Sequence, residues 1–455
     1  MAVATLAALR HATPIVDSAL SYRDIDNRIA APLLEWKYGR AYWIFFVASG
    51  ALTVGFFVGV IWLFVEGIGI LGNNTAVVWG VPIASYVWWI GIGNAGTLIS
   101  SMLLLTHQHW RASINRSAEA MTLFAVTIAG LFPILHLGRP WFAYWLAPYP
   151  NTMALWPQWR SALVWDFWAI ASYLLFSIMF WYIGLVPDLA TLRDRAERGW
   201  RKLTYGALAL GWQGSASAWH HHGLVYRAMA ALAVPLVISV HSIVGLDFAA
   251  SLMPGWQESL FPPYFVVGAM FSGFAMVVDL TLLLRWGLGL QSLITRRHID
   301  AMGKILLTGS IVMAFSYLTE WFMAWYSGEP PERSVVLFAL TGHYAPLYWA
   351  MLLCNCLVPQ ALWSGAVRRN LWAIGIIAVL VNIGMYLERI MIIFETLSRG
   401  YLPSMWRIFH VNLWDMFFVL MPLGFFAFLF ACFVRLVPTV SMHEVKALQS
   451  SRAGR

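Results

Sequence analysis

The sequence predicts an all-α integral membrane protein of about ten helices, and three observations predict it. Of its 455 residues, 60% are hydrophobic and only 11% are charged, whereas a soluble domain carries roughly 25% charge. Apolar runs of about 20 residues, the length that crosses a bilayer core, recur along the whole chain. Between them the basic residues alternate between rich and poor intervals, as expected of a multi-pass protein obeying the positive-inside rule.

Taken in order, the spans are expected near 41–68, 82–106, 117–137, 163–185, 228–251, 264–288, 302–327, 340–365, 371–396 and 412–437. Arg10, Arg23, Arg28, Lys37 and Arg40 precede the first with no apolar core among them, so span 1 is its own insertion signal and no cleavable signal peptide is expected. Span 2 carries Gly91-Ile-Gly93-Asn94-Ala-Gly96. That run matches a dinucleotide fingerprint in letters but lies inside an apolar helix rather than after a strand. It reads as a close helix contact, with Asn94 a buried polar group facing a neighbouring helix or a ligand. Span 3 stops at Gly138 and Pro140, and span 4 begins around Trp165-Asp166. The interval 186–227 is expected to be the largest polar piece, a charged surface stretch around Arg193–Arg198 followed by His220, His221 and His222. Three successive imidazoles cannot face one metal from a helix, so this run is expected to be a solvated loop. Cys354, Cys356 and Cys432 all sit in apolar segments as packing residues. Three thiols are too few for a Cys-ligated iron–sulfur cluster, which usually takes four.

The expected domains are a cytoplasmic segment 1–40, a membrane domain 41–437 and a cytoplasmic tail 438–455. Of the 29 basic residues, 23 fall on the side that holds both termini, five fall on the opposite side, and Arg389 lies within a span. That bias predicts both termini inside. A net charge of +8 spread between apolar runs gives no nucleic-acid face.

Ionisable residues inside spans are costly and are functional candidates by default. Here they are His136, Asp166, His241, Asp247, Asp279, Glu320, His343, Glu388, Arg389, Glu395 and Asp415, and most fall in the outer half. His136 with Arg139, and Asp166 with Arg160, flank one outer loop that contains Pro148-Tyr149-Pro150-Asn151. The plain reading of Asp166 is a carboxylate favoured at the start of a helix. The functional reading is a pair of proton acceptors at the lipid boundary, which quinol oxidation requires because each hydroxyl must lose its proton as an electron leaves. No span carries two histidines spaced for a pair of haems, so electrons would pass to a partner. His241, Asp247, Tyr317, Glu320, Glu388 and Arg389 would line an outer half-channel for protons, with Asp279 further in. The structural alternative is simple pairing of Arg389 with Glu388 or Glu320.

The segment Glu119-Ala-Met-Thr, the block His136-Leu-Gly-Arg-Pro-Trp141, the run Tyr144–Asn151, Trp165-Asp166, Gly184–Arg195, His241–Asp247 and Phe261–Phe265 resemble the NrfD/PsrC family of quinone-interacting membrane subunits. Within it they are most similar to the quinol-oxidising branch found in bacterial alternative complex III. The resemblance implies two four-helix bundles, spans 2–5 (about 82–251) and spans 6–9 (about 264–396), flanked by spans 1 and 10. It implies a site for menaquinol or ubiquinol near the periplasmic face, with His136 and Asp166 beside the quinol and Asp247, Glu320 and Glu388 on a proton route. Arg139 and Arg160 are added as site residues by proximity alone. The resemblance also implies no haem or metal in this chain. The partners it implies are an iron–sulfur and molybdopterin-like subunit, c-type cytochrome subunits and a paralogous membrane subunit, in a bacterial inner membrane. The reading that competes within the family is the membrane anchor of a polysulfide-type reductase. Outside the family, a secondary transporter or a structural scaffold competes.

Overall fold

A computed structural model describes residues 16, 20–36, 38–146, 158–197 and 199–453. Ten helices among them are long and apolar enough to cross a membrane: Arg40–Glu66, Val81–Leu105, Asn115–His136, Ala162–Arg195, Ala216–Ala249, Phe261–Gly287, Arg296–Tyr326, Ala345–Trp363, Leu371–Glu395 and Leu413–Leu436. They are spans 1–10 in that order.

Eight spans begin and end close to the expected positions because the sequence carries local stops. Pro82 lies in the first turn of span 2, Gly67 ends span 1 with a left-handed φ of 83°, and Asn412 and Asp415 close a capping box on span 10. The exception is the interval between spans 4 and 5, where the expected 186–227 surface stretch is mostly helix. Span 4 runs on to Arg195 and span 5 starts at Ala216, so Arg193, Asp194 and His220–His222 ride on extensions of the spans. Each of these helices has 34 residues and is about 51 Å long, against a hydrocarbon core of about 30 Å. Polar residues with adequate helix propensity continue a helix into water, and no glycine stop occurs before Gly199 on one side or after Gly214 on the other.

Spans 2–5 close one ring, with span 2 against spans 3 and 5 and span 4 against spans 3 and 5. Spans 6–9 close a second, with span 6 against spans 7 and 9 and span 8 against spans 7 and 9. The rings meet where span 2 packs on spans 6 and 9, and span 5 on span 6. Spans 1 and 10 pair with each other, and span 10 leans on spans 2 and 3. Span 2 is therefore the centre, with 78% of its apolar window buried against 22% for span 1. The glycine run in span 2 makes this possible. A Cβ at Gly93 would stand 2.6 Å from Val126, and one at Gly96 would run into the Ala118 carbonyl of span 3. Gly273 of span 6 meets Ala95 from the other side. The run is a packing surface, as its helical setting indicated.

Both terminal segments lie at the same end. Lys446 of the tail helix Met442–Ala453 pairs with Asp26 of the N-terminal helix Tyr22–Glu35 at 2.6 Å. The opposite end is called outer below.

Candidate functional site

At the outer end of the first ring, Asp166 sits in the second turn of span 4 and is only 5% exposed. The Tyr86 hydroxyl of span 2 donates a hydrogen bond to Asp166 Oδ2. The Asp247 carboxyl of span 5 lies close enough to Asp166 for the two charges to interact, and Asp166 Oδ1 and Asp247 Oδ1 are both buried without a hydrogen-bond partner. Three helices thus converge on a carboxyl pair and a phenol.

The structure does not hydrogen-bond His136 to Asp166. His136 closes span 3, half-buried, and its Nδ1 is enclosed without a partner. Arg139 and Arg160 are exposed, and neither forms an ion pair among the described residues. The Pro148–Asn151 run and Trp156 lie outside the described residues. His241 is fully buried on span 5, where Asn94 of span 2 meets its Nδ1 and its Nε2 has no partner.

In the second ring, Arg389 pairs with its neighbour Glu388 at 2.9 Å, and both are at most 2% exposed. The Arg389 guanidinium lies 4.5 Å over the Phe265 ring. The Tyr317 hydroxyl donates to Glu388 Oε2, and Asn355 Nδ2 donates to that hydroxyl at 2.9 Å. The Tyr264 ring packs edge-on against Tyr317 with centroids 6.0 Å apart. Glu388, Glu320 and Glu395 line one narrow cavity of about 30 Å³, room for one or two waters. Asn355 and Glu395 both lie in π-helical turns, Leu353–Leu357 and Met391–Glu395, a distortion that recurs at functional sites. Asp279 stands apart and faces Asn382 of span 9 at 3.5 Å.

Sequence reasoning missed the mouth of that cavity. Gly255 N–H donates to Glu332 at 2.8 Å, on the outer helix Pro330–Thr341. Burial, with the nearby Glu332 carboxyl, pushes Glu258 up to about 7, and burial likewise raises Glu332. It also missed Tyr86, which nothing in the sequence separates from the other 16 tyrosines.

The inner end of the first ring is locked by a second network. Arg116, fully buried, pairs with Asp188 at 3.1 Å and with Glu119 at 3.7 Å. Arg111 meets Glu444 of the tail helix at 2.5 Å, and it donates to the Tyr226 hydroxyl at 2.7 Å. Burial alone would raise Glu444, but Arg111, His443 and Arg116 outweigh it and hold the carboxyl below its ordinary value. Gly184 is required here: its carbonyl accepts from Arg116 at 2.8 Å, and a Cβ would stand 2.8 Å from the same guanidinium. The Glu119 and Gly184–Arg195 motifs are thus structural at this end.

Among the described residues, no group of three or more His, Cys, Asp or Glu side chains is arranged to hold a metal ion. The family model described as "Polysulphide reductase, NrfD" matches residues 69–399. The chain belongs to the NrfD family. The match starts after span 1 and ends after span 9, so it covers both rings and leaves out the flanking pair. Similar relatives include the membrane subunit of a putative dimethyl sulfoxide reductase of Halobacterium salinarum, 26% identical over 245 residues, which are 54% of this chain and 51% of that protein. Another is one of the selenate reductase subunits of Mesobacillus selenatarsenatis, 26% identical over 237 residues, 49% of this chain and 53% of that protein. The chain spans about half the length of the curated relatives it matches.

Proposed function

We propose that this NrfD-family chain is the quinone-interacting membrane subunit of a multi-subunit reductase and oxidises quinol, menaquinol or ubiquinol, at the outer end of its first ring. One observation carries the reading: Tyr86, Asp166 and Asp247 bring a phenol and two carboxyls from three spans to one buried point. Quinol oxidation releases two protons and two electrons. Asp166 takes a proton from a quinol hydroxyl, Asp247 passes it on, and His136, with its open nitrogen at the end of span 3, takes the second. The electrons leave to an iron–sulfur centre in a partner subunit docked over the outer end, and onward to a molybdopterin-type catalytic subunit. Arg139 and Arg160, exposed between spans 3 and 4, would stabilise the quinolate anion formed as the first proton leaves.

A reductase assembly is preferred over the alternative complex III suggested by the sequence, because both relatives carry the names of reductase subunits. Cytochrome and paralogous membrane partners belong to the less favoured reading. The 23-to-five basic bias supports an orientation with both termini inside, and a bacterial inner membrane is the setting the family resemblance implies. Glu388, Glu320 and Arg389, with His241 at the junction of the rings, form the route by which protons would be moved across. Asp279 is its inner station.

The test is quinol turnover by the purified complex carrying Asp166→Asn or His136→Ala. Loss of proton acceptance predicts a fall of about 100-fold or more for Asp166→Asn. Turnover near wild type in both variants rejects the site.

A further inference from the structure

A cavity of about 900 Å³ lies at the inner end, away from the proposed quinol site. Its wall is built from the loop between spans 2 and 3, the extended ends of spans 4 and 5, and the tail helix. Four formal cations (Arg111, Arg193, Arg227 and Lys446) line it against two carboxylates, Asp194 and Glu444. His107, His109, His222 and His443 line it too.

Most of these cations are already engaged. Arg111 holds Glu444 at 2.5 Å, Arg193 holds Asp194 at 2.7 Å, and Lys446 holds Asp26 at 2.6 Å. Arg227 differs: it is exposed and has no ion-pair partner among the described residues. His107 lies on the same wall with a left-handed φ of 54°, a conformation a non-glycine residue seldom adopts. The run His220–His222, which the quinol chemistry leaves unused, contributes His222, whose Nε2 lies 3.0 Å from the Ile183 carbonyl oxygen.

The surroundings are amphipathic. Trp212 and Trp219 stack edge-on at 4.9 Å on the rim, as indole rings do at the level of lipid headgroups. Leu103 and Leu104 at the inner end of span 2, and Leu448 of the tail helix, line the cavity itself. An anionic head held at Arg227 would have these apolar side chains within the same cavity. Basic pockets between spans are the form in which membrane proteins hold anionic phospholipid headgroups.

We infer that this inner cavity binds the phosphodiester headgroup of an anionic phospholipid, with Arg227 as its free cation and the acyl chains against Leu103, Leu104 and Trp219. The inference is independent of the quinol reading, since no residue of the outer site takes part. A phosphate group reaches such a cavity either on a lipid or as a free anion, and the apolar side chains in its own lining favour the lipid.

The test uses the full chain with the partners that copurify, delipidated in detergent and examined by native mass spectrometry. Phosphatidylglycerol is titrated against phosphatidylcholine of identical acyl chains. Retained phosphatidylglycerol adducts are expected on wild type, with binding weakened about fivefold in Arg227→Ala, the effect of one basic residue at a membrane surface. Arg407→Ala, which removes an exposed cation at the outer end, serves as the charge control and is expected to bind as wild type. Unchanged binding in Arg227→Ala overturns the proposal. So does equal binding of the two lipids, or equal weakening in Arg407→Ala. Displacement of phosphatidylglycerol by millimolar inorganic phosphate shows a small-anion site and also overturns the assignment to lipid.

Discussion

Tyr86→Phe is the sharpest perturbation of the proposed quinol site. The substitution keeps the ring, which is 4% exposed and packed in the core, and removes one hydroxyl. Among the described residues, that hydroxyl is the one side-chain donor hydrogen-bonded to Asp166. A hydrogen bond to a charged group is worth about 1.5–3 kcal/mol. If Asp166 must bear charge when it accepts the quinol proton, that loss falls on the barrier, and at about 1.4 kcal/mol per tenfold kcat drops roughly 10- to 100-fold. KM is expected to stay within about twofold, because the Tyr86 hydroxyl is committed to Asp166 and has nothing left to give the substrate. The assay is steady-state quinol oxidation by the complex in nanodiscs, with artificial acceptors downstream. A kcat within twofold of wild type, alongside an inactive Asp166→Asn, refutes the role given to the phenol. A raised KM with unchanged kcat would place Tyr86 on the quinol instead.

Three further outcomes follow from the packing and the charges. Burial and Glu332 raise Glu258 above its ordinary value to about 7, so the folded loop holds a proton that the unfolded chain releases. The loop between spans 5 and 6 is therefore tightest at acid pH and loosens as pH climbs through about 7. Hydrogen exchange at residues 254–260, corrected for intrinsic rate, will rise between pH 5 and pH 8 in wild type and stay flat in Glu258→Gln. Glu444 has the opposite sign: its lowered value stabilises tail docking above the ordinary carboxylate range, and that stability is lost as pH falls below it. Glu444→Gln leaves Arg111 with only the more distant Glu119 carboxylate, at 3.9 Å, at a cost of roughly 3 kcal/mol, so trypsin will cut at Lys446 in the variant at neutral pH and spare wild type. Gly96→Ala drives a methyl into the Ala118 carbonyl and costs about 1–3 kcal/mol or more, which will show as a lower melting temperature and reduced yield of folded protein.

The sequence made the fold legible because a bilayer leaves few choices. Helix length, charge bias and local stops placed eight spans to within several residues. At 186–227 the apolar run is shorter than the helix that contains it, so hydropathy understates the length of spans 4 and 5. Arg193 and His221 are no obstacle to a helix that has left the hydrocarbon, so spans 4 and 5 simply continue. The candidate site was legible only in its residue types. Asp166 and Asp247 both stood out as costly charges, but they were assigned to different roles, and the structure brings them together. His136 and Asp166 were paired because they flank one loop. Flanking a loop fixes depth in the membrane, not direction around the helix axis, and the two side chains do not bond. The Arg111–Glu444 lock joins residues 333 positions apart, a separation at which neither periodicity nor spacing carries information.

The two rings repeat one device at the outer end: a tyrosine hydroxyl on a buried carboxyl, Tyr86 on Asp166 in the first and Tyr317 on Glu388 in the second. They are linked through adjacent residues of span 2. Ser85 bonds Tyr386 of span 9 at 3.1 Å, and Trp88 donates to the Asn382 carbonyl at 3.2 Å, while Tyr86 between them turns to Asp166. Such a chain of contacts transmits a conformational signal only if some element in it has two arrangements. Span 2 is a poor choice for that element. Its glycines hold spans 3 and 6 at backbone distance, so a sliding or rotating span 2 would drive Val126, Ala118 and Gly273 into it. Under the proposed function, coupling between the first ring and the glutamates of the second would be carried by protons and charge through a fixed scaffold, with the π-helical turns of spans 8 and 9 as the places where local backbone adjustment is cheapest.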